Sequence, residues 1–314
     1  MQPDRDVVII GAGAAGLTAA QYAARSNLNT LVLEEMMSGG QALIIDKLEN
    51  YPGFPETLTG MDFGQKMEKQ AKNFGAEFMT AKAKSLRKND DNLFEIETSK
   101  GVITTYTIVL ATGARHRKLG IPGEEKLSGR GISYCATCDG PFFKNKKMLV
   151  VGGGDAACDE ASFLANLTDD LVMAHRRNRF RAQRSLAERT MNNPSIDVRF
   201  NTVCTEIKGQ DKVESVILKN TDTGEEYEEK MDAVFIFIGS DPQTDLVPDA
   251  EKDEGGYIVT DQRMESSIPG LFAVGDVRST PFRQLVVGAG EGAIAAHIAS
   301  QVIDEMKGDA YEYV

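Results

Sequence analysis

A strand, a glycine turn, a helix and a second strand occur twice in the same order in this 314-residue chain, and nothing else in it restricts the fold as much. In the first copy Val7-Val8-Ile9-Ile10 is an uninterrupted branched run, the pattern of a strand covered on both faces in a parallel sheet. Gly11-Ala12-Gly13-Ala14-Ala15-Gly16 follows, then an Ala-rich, Pro-free stretch to Arg25 that predicts a helix, and Thr30-Leu31-Val32-Leu33 as a strand ending at Glu34. Gly11 permits a tight turn, Gly13 lets the backbone approach a pyrophosphate, and Gly16 allows close helix packing. The helix start supplies free N–H groups and positive dipole to phosphate, and the acid can hydrogen-bond ribose hydroxyls. A glycine loop serving only packing is the alternative; strand, glycines, helix, strand and acid together predict a dinucleotide site.

The second copy begins at Met148-Leu149-Val150-Val151 and continues through Gly152-Gly153-Gly154-Asp155-Ala156-Ala157, a helix, and the strand Leu171-Val172-Met173-Ala174. The displacement of 141 residues (152 minus 11) sets His175 where the first copy has Glu34. His175 opens the run His175-Arg176-Arg177-Asn178-Arg179-Phe180-Arg181. An acid repels a 2′-phosphate, whereas guanidinium groups bind it through charge-assisted bonds. Alone, such a run reads as a solvated face; in register with Glu34 it predicts preference for NADPH over NADH. Two sites with different ribose recognition imply two cofactors, a flavoprotein reduced by NADPH with FAD in the first site. Thr107-Ile108-Val109-Leu110 running into Ala111-Thr112-Gly113, and Val234-Phe235-Ile236-Phe237-Ile238-Gly239, read as further strands. Leu271-Phe272-Ala273-Val274-Gly275-Asp276 ends on a carboxylate that serves either a cofactor or a helix cap.

The length accommodates about two domains. Asp plus Glu outnumber Lys plus Arg by 47 to 35, a formal charge of −12 that disfavours nucleic acid as a partner. No stretch reads as the roughly 20 apolar residues of a membrane span, so no membrane partner is expected. Met1-Gln2-Pro3-Asp4-Arg5 runs directly into a strand with no signal-like segment, giving a cytoplasmic expectation.

Four cysteines are too few for a secreted disulfide framework, and Cys135-Ala136-Thr137-Cys138 brings two of them together. In a reducing compartment this pair is redox-active or metal-binding. Zinc needs two further ligands, and His116, His175 and His297 are scattered. Cys158 and Cys204 read as small buried residues. Disulfide exchange needs a proton donor for the departing thiolate. Asp139 is nearest, unless it is only a turn carboxylate; His297, in Ala-Ala-His-Ile, is the other conceivable donor and reads as a helix residue near the core.

With these motifs the chain resembles the low-molecular-weight, bacterial-type, NADPH-dependent thioredoxin reductases over essentially its whole length. The matching landmarks include 11–16, Gly39-Gly40-Gln41, Glu49-Asn50-Tyr51-Pro52-Gly53, Ala111-Thr112-Gly113, Cys135 to Gly140, 152–157, His175-Arg176-Arg177, Gly275-Asp276-Val277 and Arg283-Gln284. The resemblance implies an α/β fold of two Rossmann-like dinucleotide-binding domains, the second inserted into the first: an FAD domain of residues 1–116 and 246–314 around an NADPH domain of 117–245. It implies FAD contacts from Gly11, Gly13, Ala14, Ala15, Glu34, Glu35, Gly39, Gly40, Gln41, Asn50, Ala111, Thr112, Gly113, Asp276, Arg283, Gln284 and Leu285. NADPH contacts are implied for Gly152, Gly154, Asp155, Ala156, Ala157, His175, Arg176, Arg177, Arg181 and Gly239. It further implies a homodimer, rotation of the NADPH domain between two states, and electron flow from NADPH through FAD and the Cys135–Cys138 disulfide to thioredoxin. In that scheme Cys138 lies nearest the flavin, Cys135 attacks thioredoxin's disulfide and Asp139 provides the proton.

The chain departs from the resemblance at residues 42–47, Ala-Leu-Ile-Ile-Asp-Lys where a threonine-rich stretch is usual, and at Ala156, where Ser or Thr is common. A peroxiredoxin-type protein or oxygen as acceptor, or a redox-sensing binding module, are the alternative readings. Peroxide-system relatives carry an extra N-terminal domain that is not expected ahead of Asp6, and dithiol oxidases lack an NADPH site.

Overall fold

The computed structural model describes residues 2–45, 48, 50–134 and 136–308, with the side chains of Ile44, Thr137 and Cys138 outside that description. Two compact units form, Met1–Arg115 with Asp241–Val314, and His116–Ser240. Residues 241–245, which the sequence reading places with the inserted unit, pack instead with the first. Gln243 accounts for this: its backbone N–H donates to Gly113 O (2.9 Å), its carbonyl accepts from Thr112 Oγ1 (2.7 Å), and its Oε1 accepts from Arg115 Nε (2.7 Å).

In the first unit Glu77–Thr80, Thr30–Glu34, Arg5–Ile10 and Gly101–Leu110 lie side by side in parallel. Gly101–Leu110 is long enough to take two partners on its far edge. Phe94–Thr98 pairs antiparallel with its first half, and Leu271–Ala273 pairs parallel with Ile108, Val109 and Leu110. The late segment of the chain thereby completes a sheet begun at its start. Val7, Val8 and Ile9 are fully buried, as the unbroken apolar run requires of a central parallel strand.

Helix Ala14–Arg25 covers the sheet and packs on Leu285–Lys307. A Cβ on Gly292 would lie 2.2 Å from Ala15 O, so the two helices cross at a distance only glycine permits there. Leu285–Lys307 is long and apolar enough to cross a membrane by length and composition, which the sequence reading did not anticipate. Its Gly288, Ala289, Gly292, Ala295, Ala296 and Ala299 face is buried, which accounts for the apolarity by core packing. His297 lies on the exposed face beside Gln301 rather than near the core, because the small residues occupy the buried face.

The inserted unit repeats the plan. Ile196–Phe200, Leu171–His175, Met148–Gly152, Ala233–Phe237 and Ile132–Ser133 form an all-parallel sheet. Alternation along the strands divides two cores. Met148, Val150, Leu171, Met173 and Phe235 pack with Ala157, Cys158, Ala161 and Leu164 of helix Asp155–Leu164. Leu149, Val151, Val172, Ala174 and Val234 meet Ile207, Val216 and Leu218 of the antiparallel sheet Thr202–Lys208, Ser215–Asn220 and Glu226–Lys230.

Candidate active site and nucleotide cradles

The two glycine turns meet the same steric demand. A Cβ on Gly11 would lie 2.3 Å from Ala111 O, and one on Gly152 would lie 2.4 Å from Phe237 O, each at the end of the adjacent parallel strand. Gly11 also has φ +103°, and a Cβ on Gly16 would lie 1.9 Å from Gly11 O. Gly13 and Gly154 differ: the nearest atom to a Cβ on Gly13 is 4.0 Å away, and nothing crowds Gly154. Each precedes a helix whose first turn receives no hydrogen bond from its N-cap side chain, which leaves backbone N–H groups there without a capping partner. Both cradles therefore fit a pyrophosphate.

In the first cradle Glu34 ends its strand with its carboxylate held by two amides, Ala12 N–H (2.8 Å) and Met36 N–H (3.1 Å). Each oxygen keeps a lone pair for a ribose hydroxyl. Glu35 points elsewhere, to Lys82 at 3.2 Å, with both side chains more than half exposed. Glu34→Ala is expected to weaken FAD retention about tenfold, while Glu35→Ala changes stability by less than about 0.5 kcal/mol and leaves flavin content unchanged. Flavin absorbance after gel filtration, with a thermal melt, checks both.

Gly39 and Gly40, with φ +127° and +56°, turn the chain back over this loop, Gly39 N–H donating to Ala12 O at 2.7 Å. Gln41 donates to Ala114 O, and Asn50 Nδ2 donates to Gln284 Oε1 at 3.0 Å, so residues from both ends of the chain meet at one rim. Leu285 is partly buried in a cluster with Ala14 and Ala42. Arg283 stacks on the Tyr257 ring at 3.9 Å. Of residues 42–47, Asp46 and Lys47 lie outside the described residues, and Ala42 is buried in the core.

Asp276 sits in the turn Gly275–Val277, where burial pushes its carboxyl above the ordinary range against the pull of Arg283. What fixes this turn is absent from the sequence reading. Glu291, 6% exposed, accepts from Gly275 N–H at 2.7 Å and pairs with Arg278, which also donates to Thr260 Oγ1 at 2.8 Å. A lone acid in the run Gly-Ala-Gly-Glu-Gly-Ala-Ile-Ala-Ala was the available signal.

In the second cradle His175 ends its strand and packs on Gly153, where a Cβ would lie 2.2 Å from His175 Nδ1. Burial, followed by the charges of Arg181, Arg177 and Arg176, holds its imidazole below the ordinary range against a bond to the Arg179 backbone. His175 Nε2 is buried with no partner among the described residues. Arg181 N–H donates to Gly153 O at 2.7 Å and ties the arginine loop to the glycine turn. Arg177, Asn178, Arg179, Phe180 and Arg181 line an open concavity of about 730 Å³. Arg176, Arg177, Arg179 and Arg181 are exposed, and none pairs with a carboxylate among the described residues. This rim fits a dianionic phosphate. The Asp155 carboxylate is turned to Gln183, accepting from its backbone N–H (2.6 Å) and from Nε2 (2.9 Å), so it braces the arginine loop. Ala156 is exposed, Ala157 is buried, and Gly239 turns at φ +108° with its carbonyl accepting from Arg117 N–H.

Cys135 lies outside the described residues, as does the Cys138 side chain. Ala136–Asp139 forms a single helical turn, with Asp139 partly exposed at its end. Cys158 and Cys204 are buried, and burial raises both thiols, Cys204 to about 12, which removes them from thiolate chemistry.

The family model for pyridine nucleotide-disulphide oxidoreductases matches residues 5–301. The chain is 54% identical over 307 residues to a thioredoxin reductase of Treponema pallidum, covering 98% of this chain and 100% of that one. It is 44% identical to a thioredoxin reductase of Listeria innocua, covering 96% and 95% of the two chains. The solved thioredoxin reductase of Lactococcus lactis superposes with a TM-score of 0.92 at 43% identity, covering 96% of this chain and 100% of that one.

Proposed function

Because the chain belongs to the pyridine nucleotide-disulphide oxidoreductase family, we propose that its two cradles hold FAD and NADPH and that Cys135 and Cys138 form its working disulfide. The protein is a thioredoxin-disulfide reductase of the bacterial type, with the two-domain α/β fold of those enzymes and with flavin and pyridine nucleotide use. The single observation that carries the NADPH assignment is the rim of arginines, without carboxylate partners among the described residues, that follows His175 at the position in register with Glu34.

NADPH, a proton and oxidised thioredoxin give NADP⁺ and the thioredoxin dithiol. Bound flavin supplies a two-electron relay between the nicotinamide and the enzyme disulfide. The rest falls to this chain's own residues. Arg176, Arg177 and Arg181 hold the 2′-phosphate while the N–H groups after Gly154 hold the pyrophosphate. Glu34, hydrogen-bonded to Ala12, and the turn at Asp276, packed against Ala15, border the same glycine turn and would orient FAD. Once reduced, Cys135 attacks thioredoxin's disulfide to form a mixed disulfide, and Cys138 displaces the thioredoxin thiolate as the enzyme disulfide re-forms. Asp139, next to Cys138, supplies the proton to the departing thiolate. The enzyme works as a homodimer in the cytoplasm; apolar Tyr22, Phe74 and Ile294 exposed on the first unit support the assembly.

Anaerobic addition of NADPH to the flavin-loaded protein is expected to bleach the flavin, expose two titratable thiols and support continuous reduction of thioredoxin. Flavin bleaching without thiols, or NADPH oxidation indifferent to thioredoxin, refutes the assignment.

A further inference from the structure

Glu160 has no part in the cradles or the exchange above, yet its carboxyl is buried against the segment that carries the cysteines. One oxygen accepts a hydrogen bond from the backbone N–H of Ala136, the residue that follows Cys135. The other, Oε2, is closed off from solvent and has no partner among the described residues.

Helix packing forces this arrangement. Ala157, Cys158, Ala161 and Leu164 of helix Asp155–Leu164 share one buried cluster with Ala136, and Glu160 stands at the edge of that face. Gly140 locks the contact, since a Cβ there would lie 2.7 Å from Leu164 Cδ2. Segment 136–140 therefore stays on the helix that carries Glu160 unless the core opens.

Among the described residues the charges around Glu160 are few. Asp159 precedes it and is bonded to Arg189 of helix Arg184–Met191 (2.6 Å); Asp155 is committed to Gln183, and Arg184 to Glu188. Asp139 ends the helical turn packed against it, and of the strands beneath only Leu171–His175 brings an ionisable group, His175 at its far end. Burial first, and Asp159 second, push the Glu160 carboxyl up to about 7, against the Ala136 bond.

We propose that Glu160 is a positioning residue for the Cys135–Cys138 pair, coupling the redox state of that pair to the protonation of a buried carboxyl through the Ala136 amide. The inference rests on the reading of Cys135 and Cys138 as the working disulfide. Reduction breaks the S–S bond and forms a thiolate in the segment whose amide Glu160 holds. Cys135 is bonded directly to the amide that Glu160 holds, so a thiolate formed on the pair opposes the carboxylate through that short covalent link, and the carboxylate takes up a proton. Disulfide, carboxylate, two electrons and two protons give thiol, thiolate and carboxylic acid. NADPH supplies both electrons and one proton, and solvent supplies the other. Re-forming the disulfide on thioredoxin releases the proton from Glu160. Nothing in the sequence distinguishes Glu160 from the acid beside it, Asp159.

The test uses the flavin-loaded enzyme reduced anaerobically by NADPH, with the iodoacetamide alkylation rate followed from about pH 5.5 to 9.5. Wild-type enzyme is expected to show an inflection near neutrality below the main thiol titration. Glu160→Gln, which keeps an acceptor for Ala136 but cannot ionise, is expected to lose that inflection and to alkylate about fivefold faster at neutral pH. Glu160→Asp keeps a titrating carboxyl but shortens its reach, and is expected to retain a displaced inflection. Curves for either variant that superimpose on wild type overturn the proposal, and Glu160→Asp serves alone if Glu160→Gln does not fold. Failure of wild-type enzyme to yield two thiols with NADPH refutes instead the assignment of the cysteine pair.

Discussion

Replacing Arg176 and Arg177 together with alanine is expected to lower kcat/KM for NADPH by about 10²–10⁴-fold while changing the NADH value less than about threefold. Each guanidinium bound to phosphate contributes about 1.5–3 kcal/mol, and each tenfold step corresponds to about 1.4 kcal/mol. The effect is expected to be confined to NADPH because the substitutions leave untouched the backbone N–H groups after Gly154, which under the proposed assignment would serve both nucleotides alike. Stability is expected to change little, since both side chains are exposed and neither is in an ion pair among the described residues. The measurement is a thioredoxin-coupled assay with each nucleotide at two ionic strengths. Equal losses for NADPH and NADH would show that the loop shapes the cradle rather than reading the 2′-phosphate.

Glu291→Ala is expected to destabilise the protein by about 3–5 kcal/mol and to lower its flavin content, although Glu291 lies on a helix that the sequence reading never connected with the site beyond Leu285. The change leaves Arg278 charged and largely buried, with Thr260 as its one side-chain hydrogen-bond partner among the described residues. It also frees the Gly275 N–H, which turns the chain at φ +72° into Asp276. Glu291→Gln retains an acceptor for that N–H and removes only the charge, so it is expected to keep most of the flavin while losing part of the stability. Urea midpoints and flavin-to-protein absorbance ratios separate the two variants. Equal flavin content in Glu291→Ala and wild type would mean that Asp276 is placed without the Gly275 bond.

Both glycine cradles were readable from contiguous residues. A tight turn, a close carbonyl and an uncapped helix start are local steric demands, and Gly11 and Gly152 meet them against Ala111 O and Phe237 O at nearly the same distance. Glu34 and His175 likewise occupy the same strand-end position because each repeat advances through a helix of similar length. Other assignments needed the fold. Asp155 and Glu35, nucleotide contacts that the resemblance implies, give their carboxylates to Gln183 and to Lys82.

From its sequence alone this chain is two dinucleotide-binding repeats with one close cysteine pair, because each motif is specified by residues within a few positions of one another. The tertiary structure alone decides which late strand completes the first sheet, that Glu291 and Arg278 hold the turn at Asp276, and that the Glu160 carboxyl is buried against Ala136 while neighbouring Asp159 is exposed. Leu271 and Ile108, or Gly275 and Glu291, meet only after intervening segments have folded, and burial of a carboxyl depends on which helix face the core claims. Periodicity marks an apolar face but does not say which polar residue at its edge is drawn under the neighbouring segment, and that choice sets where protons and charges reside.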